Sequence, residues 1–518
     1  MGIAYSCSPF NAIQDEKEVK LIMDILRGKR LSEFSPDAAI YTSSIDSDKF
    51  LVSSVIKINK AHMIMLIKRG IVDLEEGYNC IQALEDIPKD ITMDPKLEDV
   101  HMNIEAQVIE KVGDVIGGQL NLAKSRNDQV ATAIRMVLRD FILDIASSLN
   151  HLREVILKRC EENLTTLMPG YTHLQHAQPI TLAHHLLAHH DAIMRDSERL
   201  MESYKRVNLS PMGACALATT GFKIDRNMVA DLLGFDGLVE NSIDAVSTRD
   251  FAVEIISDLA ILMTNLSRFS EELVLWSTQE FSIVEMPEEY SSTSSIMPQK
   301  KNPVVAELIR AKASKVYGNL MASLSILKSL PYSYNLDLQD LTPNIWDSCQ
   351  ITLTSINVLK NMLEKVKFNE KRLMELVKNG MLMATELVDT LVREQKISFR
   401  ISHRIVGMLV KKALNEGKSL EQAVKEDLIN IIKENTGKSI SIPEEVLRKT
   451  LDPIENVKIR SVKGGPSPDE VSRMVRERQK ALEKDYEWII KKRESLNFAD
   501  EKFSKEILSI KEVIKTRK

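Results

Sequence analysis

The chain has 518 residues, of which 44% are hydrophobic and 28% charged, and its net charge at neutral pH is −5. This composition is typical of a globular protein of two to four domains, and its charge gives no support for binding nucleic acid or an anionic membrane. We expect neither a membrane span, which needs roughly 18 apolar residues, nor a signal peptide. The five scattered cysteines lack CxxC spacing and predict reduced thiols in a cytoplasmic protein.

Glycine and proline are absent from three long segments, which predicts helices far longer than the average of three turns. These segments span residues 119–168, 238–286 and 344–379. Glycines at 117–118 and at 380 flank them and predict domain boundaries. Strand signals are few, so the predicted fold class is all-α. The predicted domains are an N-terminal helical domain with a divergent extension (1–118), a central long-helix bundle (119–379) and a C-terminal helical domain with a basic tail (380–518).

The second of these segments carries a heptad seam. Its apolar residues step by four and three positions, namely Ile255, Leu259, Leu262, Leu266, Phe269 and Leu273. A second apolar face is formed by Ala252, Ile256, Met263 and Val274. Because a helix buried on several sides is hard to place in one thin bundle, this pattern favours packing against other copies of the chain. An ordinary amphipathic surface helix fits the pattern less well.

A hydroxyl-rich segment precedes another long helical pattern at residues 291–303 (SSTSSIMPQKKNP). Its five consecutive hydroxyl residues oppose both a helix and a buried strand. Asn302 and Pro303 predict a helix N-cap and first position, with the helix reaching about Leu330. A mobile loop that carries Lys300 beside a helix N-terminus suits holding an anion and moving a proton. The alternative is a serine-rich surface linker with solvated lysines.

Four more segments place polar or aromatic residues next to predicted helix ends. They are residues 125–132 (SRNDQVAT), 169–179 (PGYTHLQHAQP), 244–251 (DAVSTRDF) and 330–340 (LPYSYNLDLQD). In the second, a proline-bounded loop between helices, His173 is a candidate acid or base, although a lone loop histidine is usually just solvated. Each segment taken alone also fits an ordinary cap or loop.

Taken together, the five segments resemble the argininosuccinate lyase family in their order and spacing. That family belongs to the superfamily of fumarase, aspartase and adenylosuccinate lyase. The motif SSxMPxKxNP is typical of the superfamily, whereas SRNDQ with Gln299 and Lys301 is typical of the argininosuccinate lyases. Further matches at residues 98–102, 384–387, 451–453 and 464–466 extend the resemblance from about Leu26 to Leu482.

The resemblance implies a fold, an assembly and an activity. The fold is the three-domain fold of the superfamily, and the assembly is a homotetramer with a multi-helix core whose active sites each borrow from three chains. The activity is the reversible elimination of fumarate from argininosuccinate to give L-arginine, in arginine biosynthesis, without a metal or cofactor. A loop over residues 286–298 is implied to open for substrate and to close over it.

The resemblance also implies roles for individual residues. Ser294 is the base, His173 with Glu307 forms the acid pair, and Lys300 stabilises the aci-carboxylate. An older assignment for such enzymes makes the histidine the base. The implied substrate-binding residues are Ser44, Ser125, Arg126, Asn127, Thr172, Asn302, Tyr334 and Gln339.

The chain departs from the family pattern at several positions. Thr293 stands where the family has glycine, His176 where it usually has arginine, Val304 where it has aspartate, and Leu336 where it has a basic residue. Thr342 replaces a lysine that contacts a substrate carboxylate, and its loss would cost about 2–3 kcal/mol if that carboxylate were left bare. The family's opening motif is also altered, at residues 26–31.

Three alternatives remain open at this point. The first is a sister lyase that acts on another succinyl amine such as adenylosuccinate. The second is a non-catalytic tetrameric scaffold of the crystallin type. The third is a metalloenzyme, because His185 and His189 are spaced i, i+4 on a predicted helix between His184 and His190, although no carboxylate or third ligand is placed beside them.

Overall fold

The computed structural model describes residues 35–437 and 439–517. Within these ranges the chain is mainly helical, which confirms the predicted all-α class, and its strands form four small two-stranded sheets. Residues 26–31 and Cys7 lie outside the described residues. Among the helices of the described part, none is both long and apolar enough to cross a membrane.

The helices and strands follow one another in this order. The first part of the chain forms α1 (Pro36–Thr42), α2 (Ile45–Asp48), α3 (Val52–Lys68), α4 (Leu74–Glu85), α5 (Val100–Val112) and α6 (Asp114–Gly117). The middle part forms α7 (Arg126–Glu162), β1 (Leu167–Thr172), β2 (Gln175–Thr181), α8 (Leu182–Val207), β3 (Leu209–Ser210), α9 (Arg226–Leu232), β4 (Gly237–Leu238), α10 (Ser242–Ser247), α11 (Asp250–Trp276), β5 (Val284–Glu285), β6 (Ser292–Thr293), β7 (Lys301–Asn302), α12 (Val304–Leu327), α13 (Leu341–Lys365), β8 (Lys367–Phe368) and α14 (Glu370–Asn379). The last part forms α15 (Ala384–Gln395), α16 (Phe399–Glu416), α17 (Leu420–Thr436), α18 (Glu444–Leu451), α19 (Pro453–Lys458) and α20 (Pro468–Arg517).

Long helices occupy the segments that lack glycine and proline, and α11 lies at their centre. It packs against α8, α12 and α13. All six residues of the heptad seam are fully buried, and Ala252, Ile256 and Met263 on the second face are buried as well. The prediction of a helix buried on more than one side is therefore confirmed. Helices of the same chain supply this burial, so the argument that the seam needs other copies of the chain is wrong.

A separate apolar cluster lies in the C-terminal part of the chain. It is built from α15, α16 and α17, with Leu387, Leu409 and Leu428 fully buried. The last helix, α20, returns instead to the main core and packs along α7. The proposed domain boundaries at 118 and 379 stay predictions.

Two local predictions are wrong. The segment 169–179 is part of a β-hairpin rather than a loop. Its strands β1 and β2 are antiparallel, and Leu167 pairs with Thr181 at the end opposite the turn. Asn302 is not a helix N-cap, because it lies in β7 opposite Ser292; α12 begins at Val304, after Pro303, and ends at Leu327. In both places, pairing with a second segment overrides the local preference of the residues.

The attachment of α20 rests partly on a buried ion pair. The Arg153 side chain on α7 is 0% exposed and donates hydrogen bonds to Asp485 on α20 and to Asn150. We predict that Asp485→Ala lowers the free energy of unfolding by about 3–5 kcal/mol, because the guanidinium is left buried without its carboxylate. Denaturant unfolding followed by circular dichroism measures this change.

The matched control is Glu421→Ala, which removes the partner of Lys425 in a pair whose side chains are 64% and 65% exposed. Its effect should stay below about 1 kcal/mol, since exposed ion pairs contribute little. Equal effects of the two substitutions would contradict the assignment of the Arg153 pair as a structural contact.

Candidate active site

A cavity of 310 Å³ lies where several distant segments of the chain meet. The start of α7, the residue before α11, the connection between α12 and α13, and the segments around α2 and α5 all contribute to its wall. The cavity brings together five of the predicted substrate-binding residues, namely Ser44, Arg126, Asn127, Tyr334 and Gln339. These residues are spread over almost 300 positions of sequence, so tertiary folding alone unites them.

Hydrogen bonds position the polar side chains of this cavity. The Arg126 guanidinium donates to Glu98 Oε2 at 2.9 Å and to Asp99 Oδ2 at 3.1 Å. The Asn127 amide donates to the Ala216 carbonyl at 3.1 Å. Gln339 Nε2 donates to the Thr42 carbonyl at 2.8 Å and thereby ties the connection before α13 to the end of α1. The wall is thus held by contacts between segments rather than within one of them.

Ser125 has a structural role at the start of α7. Its hydroxyl accepts a hydrogen bond from the Asn127 N–H at 3.3 Å, while the Asp128 carboxylate accepts one from the Ser125 N–H at 3.0 Å. This reciprocal capping box fixes the first turn of the helix. Ser125 does not line the cavity, and it positions Arg126 and Asn127, which do.

The buried carboxyl group of Asp48 also faces the cavity, and the sequence analysis missed it. It accepts hydrogen bonds from the Ser44 hydroxyl at 2.7 Å and from the Val100 N–H at 3.2 Å. Burial raises the pKa of Asp48 to about 7, against the opposing effect of these hydrogen bonds. Its position four residues after Ser44, on the same helical face, is the sequence signal that could have found it.

Arg249 is a second residue that was not assigned to the site. Its side chain is almost fully buried, and Nη1 donates to the carbonyls of Thr248 at 2.8 Å and Val246 at 3.2 Å. Burial lowers the pKa of Arg249 to about 10, so the guanidinium stays charged at neutral pH. The cavity therefore contains two guanidinium groups even though Thr342, which also lines it, replaces the family's lysine.

His101, which the sequence analysis quoted only within a matching motif, lines the cavity too. It is buried at the start of α5, and this burial lowers the pKa of its imidazole. The ring is therefore neutral at pH 7, and it adds a polar but uncharged group to the wall.

The predicted acid His173 lies at the tip of the β1–β2 hairpin and is exposed. Both tip residues have left-handed backbone conformations, with φ of 55° at His173 and 57° at Leu174. Two-residue hairpin turns use such conformations, but residues other than glycine adopt them at a cost of about 1–3 kcal/mol.

The predicted base Ser294 lies on a loop that β6 and β7 close at its base. The Ser294 hydroxyl oxygen accepts hydrogen bonds from the backbone N–H groups of Met297 at 3.1 Å and Ile296 at 3.3 Å. Thr293 adopts the extended conformation of a strand paired with Lys301, so the glycine of the family pattern is not required here. Lys300 is exposed, and the neighbouring Lys301 pairs with Glu285.

The remaining predicted residues lie near the same end of the bundle as Ser294. Glu307 is exposed in the first turn of α12, which begins one residue later than predicted. Val304 is the first residue of that helix. His176 contacts the ring of Tyr171 edge-on within the hairpin. Thr172 lines a second cavity of 490 Å³, which His184 and His185 also border.

The candidate residues thus form two groups at opposite ends of the bundle. Asn127 and the 310 Å³ cavity lie at the start of α7, whereas the hairpin with His173 follows the end of this helix. α7 has 37 residues, and at 1.5 Å per residue it is about 55 Å long. His173, Ser294, Lys300 and Glu307 do not line the 310 Å³ cavity of their own chain in the described structure.

One group of potential metal ligands occurs in the described part of the chain. It consists of His185, His189 and Glu272, whose ligand atoms lie within 4.8 Å of one another. The expectation that no carboxylate accompanies the histidine pair is therefore wrong. Glu272 lies on α11, and 83 residues separate it from His189, so spacing along the sequence could not have indicated it.

Comparison with known families and proteins supports the assignment of the chain. A family model described as "Lyase" matches residues 32–318, and one described as "Argininosuccinate lyase C-terminal" matches residues 381–458. Argininosuccinate lyase of Methanocaldococcus jannaschii is 48% identical over 89% of this chain and 96% of its own length. That of Methanothrix thermoacetophila is 45% identical over 92% of this chain and 97% of its own length.

Solved structures agree with the fold. A variant of EDDS lyase with bound fumarate matches with a TM-score of 0.83 and 29% identity, over 92% of this chain and 96% of that one. A class II fumarase from Schistosoma mansoni matches with a TM-score of 0.69 at 17% identity, over 80% of this chain and 93% of that one, which supports the fold alone. The chain belongs to the argininosuccinate lyase family.

Proposed function

We propose that this carbon–nitrogen lyase eliminates fumarate reversibly from argininosuccinate and releases L-arginine. The observation that carries the proposal is the distribution of charge in the 310 Å³ cavity, where the Asp48 carboxyl faces the same space as the guanidinium groups of Arg126 and Arg249. Argininosuccinate carries carboxylates and a guanidinium group, so a site with fixed groups of both signs suits it.

Removal of the proton is the difficult step of this reaction. The proton leaves a carbon beside a carboxylate, which places further negative charge on a group that is already negative. Lys300 supplies positive charge to this aci-carboxylate, and one pre-oriented donor of this kind contributes about 3–4 kcal/mol. Ser294 acts as the base. Its oxygen accepts hydrogen bonds from two backbone N–H groups, which support this role because they would stabilise the alkoxide.

Departure of the guanidine requires an acid. The conjugate acid of a guanidine has a pKa above about 12, so proton delivery as the carbon–nitrogen bond breaks is strongly favourable. His173 donates this proton, with Glu307 as its carboxylate partner. No hydrogen bond joins these two side chains among the described residues of one chain, so the proposed pair forms between chains. In the reverse assignment, His173 is the base. The Ser294→Ala experiment described below also tests this alternative.

The enzyme works as a homotetramer in this proposal. The C-terminal half of α12 exposes three large apolar side chains at spacings of four and three residues, namely Tyr317, Met321 and Leu324. Such an apolar patch on one face of a central helix is typical of a protein interface. Packing of α12 against other copies would also bring the hairpin and loop of one chain to the cavity of another, which the length of α7 prevents within one chain. Three chains then contribute to each site.

The cytoplasm is the compartment that we propose for this enzyme. The four described cysteines, Cys80, Cys160, Cys215 and Cys349, are buried free thiols. A reducing compartment keeps such thiols in this state.

We predict that Ser294→Ala lowers the rate of fumarate release from argininosuccinate by about 10²–10⁴-fold, the usual contribution of a general acid or base. Ultraviolet absorbance of fumarate follows the reaction. The control is Ser291→Ala on the same loop, whose hydroxyl donates to the Pro287 carbonyl at 2.8 Å and which should stay within about tenfold of wild type.

Adenylosuccinate is assayed in parallel. Release of fumarate from adenylosuccinate alone would establish the sister lyase instead. A well-folded tetramer that turns over neither substrate would establish the non-catalytic scaffold.

We also predict that Asp48 makes substrate binding dependent on pH. Because burial raises the pKa of Asp48 to about 7, its carboxyl group is mainly ionised above this pH and mainly neutral below it. The KM for argininosuccinate should therefore rise as pH falls below 7. Asp48→Asn should raise KM at pH 8 by about 10- to 100-fold, as expected for loss of a hydrogen bond to a charged group.

The pH profile of KM distinguishes this role from a structural one. In Asp48→Asn the rise of KM below pH 7 should disappear, while kcat should change less than KM. A profile that runs parallel to that of the wild type would contradict the assignment of Asp48 as a substrate ligand.

A further inference from the structure

Two histidines and a glutamate converge between α8 and α11, away from the 310 Å³ cavity. His185 and His189 are one turn apart on α8, and both Nε2 atoms point at the same oxygen of Glu272. The distances to Glu272 Oε2 are 2.6 Å from His185 and 2.9 Å from His189. All three side chains are partly buried, with exposed fractions of 25%, 14% and 33%. None of them has a role in the proposed elimination reaction.

Aromatic side chains of α11 hold the two imidazole rings in place. The ring of His189 stacks on Phe269, with centroids 4.3 Å apart and planes 8° apart. The ring of His185 lies 5.2 Å from that of Trp276. Phe269, Glu272 and Trp276 lie on one face of α11, at spacings of three and four residues. The carboxylate and both rings are thus oriented by the same rigid element, as in pre-organised metal sites.

We propose that His185, His189 and Glu272 bind a divalent transition metal such as Zn²⁺ or Co²⁺. Two imidazoles at i, i+4 on a helix with one carboxylate are a ligand set typical of these ions. In a tetrahedral site with bonds of about 2.0–2.1 Å, ligand atoms are about 3.3 Å apart. The side chains therefore separate by a few tenths of an ångström when the ion replaces the hydrogen-bonded protons.

The ion has a structural role in this proposal. It joins α8 to α11, and α11 is the helix that lies at the centre of the core. Three protein ligands leave a fourth position, and His185 borders the 490 Å³ cavity from which a water molecule completes the coordination. The proposal stands independently of the substrate, because the ligands lie outside the groups assigned to the elimination.

The competing explanation is that Glu272 only accepts two imidazole N–H hydrogen bonds. Titration of chelator-treated full-length protein with Co²⁺ distinguishes a metal site from a pair of hydrogen bonds. Bound Co²⁺ absorbs visible light with an intensity that depends on its coordination. We expect one Co²⁺ per chain in the wild type. Glu272→Gln and His189→Gln should each weaken binding by at least about tenfold.

The neighbouring His184 provides the matched control. Its Nε2 contacts the Gly464 carbonyl at 3.0 Å instead of Glu272, so His184→Gln should bind Co²⁺ as the wild type does. Co²⁺ should also raise the Tm of the wild type and of His184→Gln but leave that of Glu272→Gln unchanged. Circular dichroism confirms that each variant is folded. If Glu272→Gln does not fold, His189→Gln takes its place in the comparison. Absence of stoichiometric binding, or equal binding by all variants, would overturn the proposal.

Discussion

The length of the central helices is the constraint on which the rest of this protein depends. α7 alone has 37 residues, so it holds the segments at its two ends about 55 Å apart. The buried seam of α11 keeps this geometry rigid, because its six apolar residues are completely enclosed. Each candidate segment therefore lies at one end of the bundle. In the proposed assembly, a complete active site forms where opposite ends of different chains meet.

The two ends of the bundle carry side chains suited to different parts of the proposed reaction. One end holds a cavity with three charged groups. Asp48 and Arg249 are buried, and Arg126 is held by its hydrogen bonds to Glu98 and Asp99. Such groups bind and orient a charged substrate. The other end carries Ser294 on a loop and His173 on a hairpin tip. In the proposed assembly, these residues approach a substrate held by another chain, which agrees with the exposure of His173 and the partial burial of Ser294 in a single chain.

The cavity changes the expected effect of Thr342, which replaces a lysine of the family pattern. From sequence, it suggested a substrate carboxylate left without a partner. In the folded chain, Thr342 and the buried Arg249 border the same cavity, and Arg249 stays cationic near neutral pH. The cavity thus retains a positive charge for a carboxylate. The positive charge of Arg249 could not be inferred from the substitution at Thr342, because Arg249 lies 93 residues earlier in the sequence.

Much of the fold could be predicted because its signals are local and periodic. The absence of glycine and proline and the heptad spacing of Ile255 to Leu273 are properties of single segments, and both predicted correct helices. Motif resemblance likewise identified five residues of the cavity wall, but it assigned no role to Asp48, His101 or Arg249. The errors occurred where a contact between two separate segments, whether near or far in the sequence, decides the structure. Asn302 pairs with Ser292 instead of capping a helix, and Glu272 reaches His189 across 83 residues.

The most direct test of the shared site is complementation between two inactive variants. Ser294→Ala and Asn127→Ala change opposite ends of the chain, and co-expression with different affinity tags allows mixed tetramers to be purified. In a random equal mixture, about a quarter of the sites would combine an intact Ser294 from one chain with an intact Asn127 from another. We therefore predict about a quarter of wild-type fumarate release from the mixture and almost none from either variant alone. Mixed tetramers as inactive as their parents would contradict the shared site.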